Sequence, residues 1–130
     1  MRSEATQAFR KWGLAFVLAL GAVAGTPVQA RESAPESVPV AQLPEAAQQT
    51  YQRVLSGGPF PYRKDGITFV NRERRLPARA KGYYREYTVE TPGSADRGAR
   101  RIVCGGTKAT KPESCYYTAD HYASFARIVP

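Results

Sequence analysis

The sequence is poor in metal-binding residues and in long apolar runs. It has one histidine, His121, and two cysteines, Cys104 and Cys115. So small and scattered a set lacks the ligand spacing of a zinc site, and we expect neither a metal nor another cofactor. The apolar stretch at residues 12–24 has 13 residues, which is short of the roughly 20 that a membrane-spanning helix needs.

The N-terminal residues instead have the pattern of a secretion signal. Three basic residues precede the apolar stretch, and Val28-Gln29-Ala30 fits a small-residue cleavage site. We therefore expect residues 1–30 to be a signal peptide that is removed, and the mature protein to be secreted into the extracellular medium. The alternative is an anchor that stays in the membrane. Because Trp12 is the only tryptophan, its emission would distinguish the two.

Acidic residues are also scarce. The chain has 11 of them against 19 lysines and arginines, a net charge of +8, and loss of residues 1–30 would leave +6. A basic secreted protein suits a polyanionic partner, through electrostatic steering and counterion release. Charge alone does not separate RNA from DNA, an acidic polysaccharide or an anionic membrane surface.

The residues after the leader suit one small domain. Residues 31–42 are rich in proline, serine and charge, so we predict a flexible lead-in there, followed by the folded domain at 43–130. Apolar residues recur at helical spacing from Ala47 to Leu55, which predicts a helix at 44–56. Gly57-Gly58-Pro59 would end this helix.

Alternating residues predict β-strands over the rest of the domain. In the strand predicted at 82–90, Glu86 falls on the face opposite Tyr87, and in the strand predicted at 99–104, Arg101 falls opposite Ile102. Further strands are predicted at 67–69, 116–118 and 125–129. The pattern indicates an α+β fold, in which the N-terminal helix packs on one face of a small antiparallel β-sheet and the other face is free for a site.

Six short segments of the domain form a recognisable set. They are Gly-Pro-Phe-Pro-Tyr at 58–62, Phe-Val-Asn-Arg-Glu at 69–73, Leu-Pro at 76–77, Gly-Tyr-Tyr-Arg-Glu-Tyr-Thr-Val at 82–89, Arg-Gly-Ala-Arg-Arg-Ile-Val-Cys-Gly at 97–105 and Tyr-Tyr-Thr-Ala-Asp-His-Tyr-Ala at 116–123. In this order they resemble the microbial guanyl-specific ribonucleases, the family of barnase and the Streptomyces Sa-type enzymes. The resemblance runs from about Leu43 to Phe125 and implies the microbial ribonuclease fold.

The resemblance also implies catalytic roles. Glu86 would be the general base that takes a proton from the ribose 2′-OH, and His121 the general acid that protonates the leaving 5′-oxygen. The guanidinium groups of Arg101 and Arg97 would hold the scissile phosphate. Without the resemblance, Glu86 would be interpreted as an exposed, solvated carboxylate and His121 as an ordinary surface histidine.

Guanine recognition is expected in residues 69–73. Glu73 would accept from the two N–H donor groups of the base, the backbone N–H groups of Asn71 and Arg72 would reach its carbonyl, and Phe69 or Arg72 would stack on the ring. The resemblance places Tyr122 beside the phosphate and the base. A simpler interpretation of Asn71 is a turn residue with positive φ, and the two roles are compatible.

The cysteines mark a departure from the family. Sa-type relatives join their termini by a disulfide, whereas this chain has no cysteine near Leu43 or after Phe125. Secretion into an oxidising compartment favours a Cys104–Cys115 disulfide across a hairpin, and two free thiols are the alternative. The connection at 106–113 looks longer than in the relatives, and Val70 stands where they carry a polar residue.

Together these features predict a secreted, metal-independent endoribonuclease. It would cleave single-stranded RNA on the 3′ side of guanosine, through a 2′,3′-cyclic phosphate and then a 3′-phosphate. We expect a monomer, and the resemblance implies an acidic, barstar-like inhibitor protein as a partner. The alternatives are a non-catalytic basic secreted module that binds RNA or another polyanion, and the same nuclease used as an antibacterial toxin. The basic run from Arg72 to Arg85 is either a solvated face or part of the RNA path.

Overall fold

The computed structural model describes residues 21, 22, 24, 25 and 35–130. The fold below is that of the unit Glu32–Pro130, the second of the two into which the chain divides. The predicted signal peptide lies almost entirely outside the described residues, as do residues 31–34 of the predicted lead-in. Of the helices in the described residues, none has the length and apolar character needed to cross a membrane.

One α-helix and one sheet form the described domain. The elements are β1 (Glu36–Pro39), a 3-10 turn (Val40–Gln42), α1 (Glu45–Ser56), β2 (Ile67–Thr68), β3 (Tyr84–Thr88), β4 (Arg101–Gly105), β5 (Ser114–Thr118) and β6 (Ala126–Val129). The strand order is β1-β6-β5-β4-β3-β2. Every neighbouring pair is antiparallel except β1 and β6. The predicted α+β class, with the helix on a mainly antiparallel sheet, is confirmed.

The N-terminal edge of this sheet corrects two predictions. Residues Glu36–Pro39 form β1, which pairs in parallel with β6 from Glu36 opposite Ala126 to Pro39 opposite Val129. The flexible lead-in predicted at 31–42 is therefore wrong from Glu36 onward, and the sheet is not wholly antiparallel. The composition misled because proline is tolerated in an edge strand, where a missing N–H donor costs no ladder hydrogen bond.

Helix α1 begins and ends as its local sequence predicts. Pro44 precedes it and Glu45 lies in its first turn, next to the positive end of the helix dipole. Gly57 follows with φ 83°, the left-handed conformation that ends many helices. The helix buries Ala47, Thr50 and Val54, so its predicted apolar stripe faces the sheet.

The two faces of the sheet carry two separate apolar clusters. Under α1 lie Tyr87, Ile102 and Cys104 with their neighbours, and the opposite face holds Tyr84, Val103 and Tyr116 with Leu76. Tyr87 and Ile102 pack on the helix side as predicted, which places Glu86 and Arg101 on the other side. That second face is not bare, because Phe69, Tyr122 and Phe125 pack against its cluster.

Cys104 and Cys115 form a disulfide, as predicted. The two residues lie directly opposite each other on β4 and β5. Both are buried in the cluster beneath α1, so the link joins the two central strands on the face away from Glu86.

Candidate active site

A cavity of about 530 Å³ opens on the face of the sheet opposite α1. It is lined by Phe69, Val70, Asn71, Arg72, Glu73, Arg75, Glu86, His121, Tyr122, Ala123 and Phe125. The structure thus brings together every predicted site residue except the two arginines expected to hold the phosphate. Arg97 contacts the lining residue Glu86, and Arg101 contacts the lining residue Tyr122.

Glu86 lies in the middle of β3, opposite Val103 of β4. Its side chain is only 12% exposed, so the interpretation as a solvated carboxylate is wrong. The Tyr122 hydroxyl donates to Glu86 Oε2 at 2.7 Å, and Arg97 Nη2 lies 3.5 Å from Oε1. Each carboxylate oxygen therefore has its own donor, which fixes the group in the cavity wall.

Arg97 is held from the same strand that carries Glu86. Its Nε donates to Thr88 Oγ1 at 2.8 Å, and Thr88 lies two residues beyond Glu86 on the same face. The next residue, Gly98, has φ +64°, and a Cβ there would lie 2.5 Å from Thr91 Oγ1. Only glycine fits this turn, which carries Arg97 to the carboxylate.

Arg101 is a buried cation, with 3% of its surface exposed. Its Nη1 donates to the carbonyls of Gly98 at 3.0 Å and Arg100 at 2.7 Å. Between residues 35 and 130, ion pairs within 4.0 Å join Arg97 to Glu86 and Arg75 to Glu73, so the charge of Arg101 has no carboxylate partner. A buried charge without a partner is costly. Because Arg101 lies beside the Tyr122 hydroxyl, its charge favours the binding of an anion next to that hydroxyl.

His121 lies in a strained loop between β5 and β6. His121 and Tyr122 both have positive φ, 52° and 72°, a conformation that costs about 1–3 kcal/mol for a non-glycine residue. The His121 N–H donates to the Ala99 carbonyl at 3.0 Å, and the Tyr122 N–H donates to Thr118 Oγ1 at 3.1 Å. The loop is thus held by Thr118 of β5 and by Ala99, which precedes β4, and it directs an exposed imidazole to the cavity.

Asp120 supports the same loop from its other side. Its carboxylate accepts from the N–H and hydroxyl of Ser124, at 2.9 and 2.6 Å, and from the Thr118 hydroxyl at 2.9 Å. These hydrogen bonds, those of Ser124 foremost, lower the pKa of Asp120. A charged Asp120 therefore closes the loop around His121 across the neutral pH range.

Tyr122 joins the apolar and charged parts of the site. Its ring centroid lies 5.0 Å from that of Phe69 and 4.8 Å from that of His121. Burial, followed by the hydrogen bond to Glu86 and the charge of Glu86, raises the pKa of Tyr122 to about 12. The hydroxyl is therefore protonated at neutral pH and acts as a donor to the carboxylate.

The loop predicted to bind guanine is pinned by Asn71. Its Nδ2 donates to the Leu76 carbonyl at 2.7 Å, and the Leu76 N–H donates to Asn71 Oδ1 at 3.2 Å. The positive φ expected at Asn71 is wrong: it occurs at Arg74, with φ 53°. Asn71 shapes the loop through its side chain instead.

Arg72 and Glu73, the two remaining polar residues of this loop, differ in how free they are to contact a ligand. The Arg72 N–H donates to the Val70 carbonyl at 2.6 Å, so this predicted guanine donor is engaged within the loop. Glu73 has a side chain 70% exposed, with Oε2 4.0 Å from Arg75 Nη1. Its carboxylate is therefore open to a ligand.

Sequence reasoning missed two residues of the site, because Phe125 lines the cavity and Thr88 anchors Arg97. Arg75 also lines the cavity, and it belongs to the basic run whose two interpretations are a solvated face and part of the RNA path. Strand alternation places Thr88 on the face of Glu86, so a signal for Thr88 was present. Phe125 carries no such signal, because its position depends on how the loop before β6 closes over the sheet.

A carboxylate, an imidazole and two guanidinium groups around one cavity can take a proton, donate a proton and hold a phosphate. This set of side chains lies on the free face of a mainly antiparallel sheet that packs against a helix. Together the fold and the site define an enzyme of the acid–base nuclease class. In the part of the chain that the structure describes, no three His, Cys, Asp or Glu side chains cluster as ligands for a metal ion.

Comparison with known proteins gives the same class. The family model described as ribonuclease matches residues 26–129. Guanyl-specific ribonuclease Sa3 of Kitasatospora aureofaciens is 56% identical over 86 residues, 66% of this chain and 58% of Sa3. Guanyl-specific ribonuclease Sa of the same organism is 50% identical over 92 residues, 71% of this chain and 92% of Sa. The chain belongs to the microbial guanyl-specific ribonuclease family.

Solved structures agree with this assignment. Ribonuclease Sa2 with guanosine-2′-cyclophosphate superposes with a TM-score of 0.67 and 46% identity, covering 75% of this chain and 98% of Sa2. Ribonuclease Sa2 has also been solved with 3′-GMP. The fold described above is therefore the microbial ribonuclease fold.

Proposed function

We propose that the protein is a guanyl-specific endoribonuclease that cleaves single-stranded RNA on the 3′ side of guanosine without a metal ion. The observation that carries this proposal is the position of Glu86. It is bonded to Tyr122 and Arg97 in the wall of the cavity that His121 also lines. The proposed base and acid therefore face one cavity, and the two proposed phosphate-binding arginines contact its lining, Arg97 at Glu86 and Arg101 at Tyr122.

The reaction has two steps. Glu86 removes the proton of the ribose 2′-OH, O2′ bonds to phosphorus, and the bond from phosphorus to the 5′-oxygen breaks as His121 protonates that oxygen. The product is a 2′,3′-cyclic phosphate. Water then opens it to a 3′-phosphate, with His121 as base and Glu86 as acid. Arg97 and Arg101 stabilise negative charge on the phosphate oxygens in both steps.

Guanine would be read by the loop at 69–73. Glu73 accepts from the two N–H groups of the base edge, and Phe69 provides an aromatic surface for the ring. The Arg72 N–H, now bonded to the Val70 carbonyl, would exchange that acceptor for the guanine carbonyl. The Sa2 structures with guanosine-2′-cyclophosphate and 3′-GMP support the preference for guanine, since both ligands are guanosine nucleotides. They also support the two-step reaction, since the ligands correspond to the products of its two steps.

The direct test uses an end-labelled RNA with a single internal guanosine, in EDTA. Wild type should cut after that guanosine and leave a cyclic phosphate. Glu86→Gln and His121→Ala should each lower kcat/KM by at least about 100-fold, whereas Glu90→Gln, an exposed carboxylate at the end of the same segment, should leave it unchanged. The kcat/KM profile of wild type should be bell-shaped with pH.

Three outcomes would count against this proposal. If folded wild type does not cleave the RNA, the basic module that only binds polyanions becomes the better description. If the three variants cleave equally, or if the profile is flat between about pH 4 and 9, Glu86 and His121 are not the acid–base pair.

We further propose that the protein is secreted and acts as a monomer. The basic start, apolar stretch and small-residue site at 28–30 support export with removal of residues 1–30. Exported protein should show tyrosine emission only, because Trp12 is the only tryptophan, and tryptophan emission would mean that the leader is retained. Sedimentation should give the mass of one chain, and a dimer mass would contradict the proposed state.

We also propose that an acidic protein of the barstar type can inhibit this enzyme. The excess of basic residues, 19 against 11 acidic ones, favours an acidic partner over the active cavity. Titration of such an inhibitor against RNA cleavage should abolish activity at a one-to-one ratio. Undiminished cleavage at saturating inhibitor would reject the proposal.

A further inference from the structure

The loop at 69–71 forms one wall of a second cavity, of about 320 Å³. Phe69, Val70 and Asn71 line both this cavity and the active cavity. The remaining walls come from Thr68 of β2 and from the segment that leads from this loop into β3. The two cavities are therefore neighbours separated by a single loop.

The second cavity differs from the first in charge. Arg74, Arg79 and Lys81 line it, and no acidic residue does. In the active cavity, by contrast, Glu73 and Glu86 accompany the basic residues. The second cavity thus attracts anions but has no carboxylate or imidazole for proton transfer.

The walls of the second cavity are held in place by contacts between side chains. The Arg79 guanidinium lies 5.1 Å from the centroid of the Tyr83 ring, and the Tyr83 hydroxyl donates to Glu113 Oε2 at 2.6 Å. The Tyr84 hydroxyl donates to the Pro77 carbonyl at 2.6 Å. With the Asn71–Leu76 hydrogen bonds on the shared wall, the site is formed before any ligand arrives.

We propose that this second cavity is a subsite for RNA phosphates beyond the scissile one. The inference rests on the proposed function, because an RNA strand bound in the active cavity extends beyond it, and the second cavity is the basic one across the loop at 69–71. Arginine forks bind phosphate oxygens in pairs, and Arg79 is oriented by Tyr83. Val70, 57% exposed, adds an apolar surface for the sugar or base.

The test compares short and long substrates on two matched double variants of the full chain. Arg79→Gln/Lys81→Gln removes two positive charges from the subsite. Lys108→Gln/Lys111→Gln removes two from the connection between β4 and β5, which lines neither cavity. The substrates are the dinucleotide GpC and oligonucleotides with one guanosine, extended on the 5′ side, the 3′ side or both.

The subsite variant should lose about 5- to 20-fold in kcat/KM on the extended RNA and less than about 2-fold on GpC. For this variant the slope of log kcat/KM against log salt concentration on the extended RNA should be less steep by about 1.4. Each phosphate contact on a single strand contributes about 0.7 to that slope, and two contacts are removed. The 5′ and 3′ extensions will identify which side of the strand enters the subsite. Equal losses on GpC and long RNA, equal losses in both double variants, or no loss would overturn the proposal.

Failure of the proposed function would be recognised separately. If wild type cleaves neither GpC nor the long RNA, the nuclease assignment is rejected. Binding of the non-cleavable 2′-deoxy versions of the same oligonucleotides then still tests the subsite. The subsite predicts that the Arg79/Lys81 variant, and not the Lys108/Lys111 variant, loses affinity for the extended strand only.

Discussion

At the scale of single residues, the site depends on side chains that hold other side chains. Tyr122 donates to Glu86, Thr88 anchors Arg97, and Asp120 closes the loop that carries His121. The strain at His121 and Tyr122 persists because these hydrogen bonds and the packing around Tyr122 outweigh it. Tyr122, Thr88 and Asp120 therefore fix the positions of the proposed base, of Arg97 and of the proposed acid.

Tyr122→Phe tests the best defined of these contacts. The variant keeps the ring between Phe69 and His121 but removes the donor to Glu86. The value of kcat/KM should fall about 10-fold, the equivalent of one charge-assisted hydrogen bond, because Glu86 loses the donor that holds its carboxylate in the cavity wall.

Tyr117→Phe is the matched control for this variant. Tyr117 packs on the cluster beneath α1, away from the cavity, and its replacement should leave kcat/KM unchanged. An unchanged kcat/KM in Tyr122→Phe would show that the hydroxyl has no influence on Glu86.

At the scale of elements, β3 and β4 serve the core and the site at once. Tyr87 and Ile102 face α1, while Glu86, Thr88 and Arg101 face the other side. A shift of one residue in register would exchange the two sets. The Cys104–Cys115 disulfide joins β4 to β5 at directly opposed positions and so holds this register from the helix side.

Removing the disulfide should cost stability and leave catalysis intact. Cys104→Ala/Cys115→Ala opens a loop with a sequence separation of 11, and closure of so short a loop contributes about 3 kcal/mol to the free energy of unfolding. Activity should change less than about 2-fold, because the sulfur atoms lie under α1. Urea unfolding and RNA cleavage measure the two effects. Reduction of wild type should reproduce the loss, and identical midpoints in both redox states would contradict it.

The edge strand β1 gives a second prediction at this scale. A chain that begins at residue 40 loses the pairing with β6 and the packing of Val38 on the core. A chain that begins at residue 35 keeps both. The free energy of unfolding of the shorter chain should be lower by about 1–2 kcal/mol, which is the contribution of partly burying one valine. Equal urea midpoints would restore the interpretation of this segment as a flexible lead-in.

At the scale of the whole molecule, buried tyrosines set the alkaline limit of stability. Burial is the first cause that raises the pKa of Tyr84 to about 12, and it also raises the pKa values of Tyr87 and Tyr117. Tyrosines in an unfolded chain titrate near pH 10. As the pH rises, the unfolded chain therefore releases protons before the folded one does, and unfolding becomes more favourable.

The contribution of these tyrosines to the free energy of unfolding should thus stay constant up to about pH 9 and fall between about pH 10 and 12, by about 2–3 kcal/mol for Tyr84 alone. Tyr84→Phe should weaken this fall. It should also lower stability at neutral pH by about 1 kcal/mol, because the hydrogen bond to the Pro77 carbonyl is lost. Urea unfolding at several pH values measures both effects. A fall of the same size in Tyr84→Phe would mean that other groups cause it.

Much of this fold was determined by local sequence. The helical spacing of Ala47, Val54 and their neighbours set α1, and the alternation around Glu86 and Tyr87 set which side of β3 faces the core. Both depend on backbone geometry within a few residues, which repeats every 3.6 positions in a helix and every two in a strand. The Cys104–Cys115 pairing could also be predicted, because the two cysteines flank one hairpin.

Tertiary structure decided what depends on residues that are distant in the sequence. The strand at Glu36–Pro39 exists only because β6 offers it a partner about 90 residues later. The bond between Tyr122 and Glu86 spans 36 positions, and the burial of Arg101 and the closing of Phe125 over the cavity arise in the same way. Side chains that are far apart in the sequence meet only when the whole sheet has formed, so no local pattern encodes these contacts.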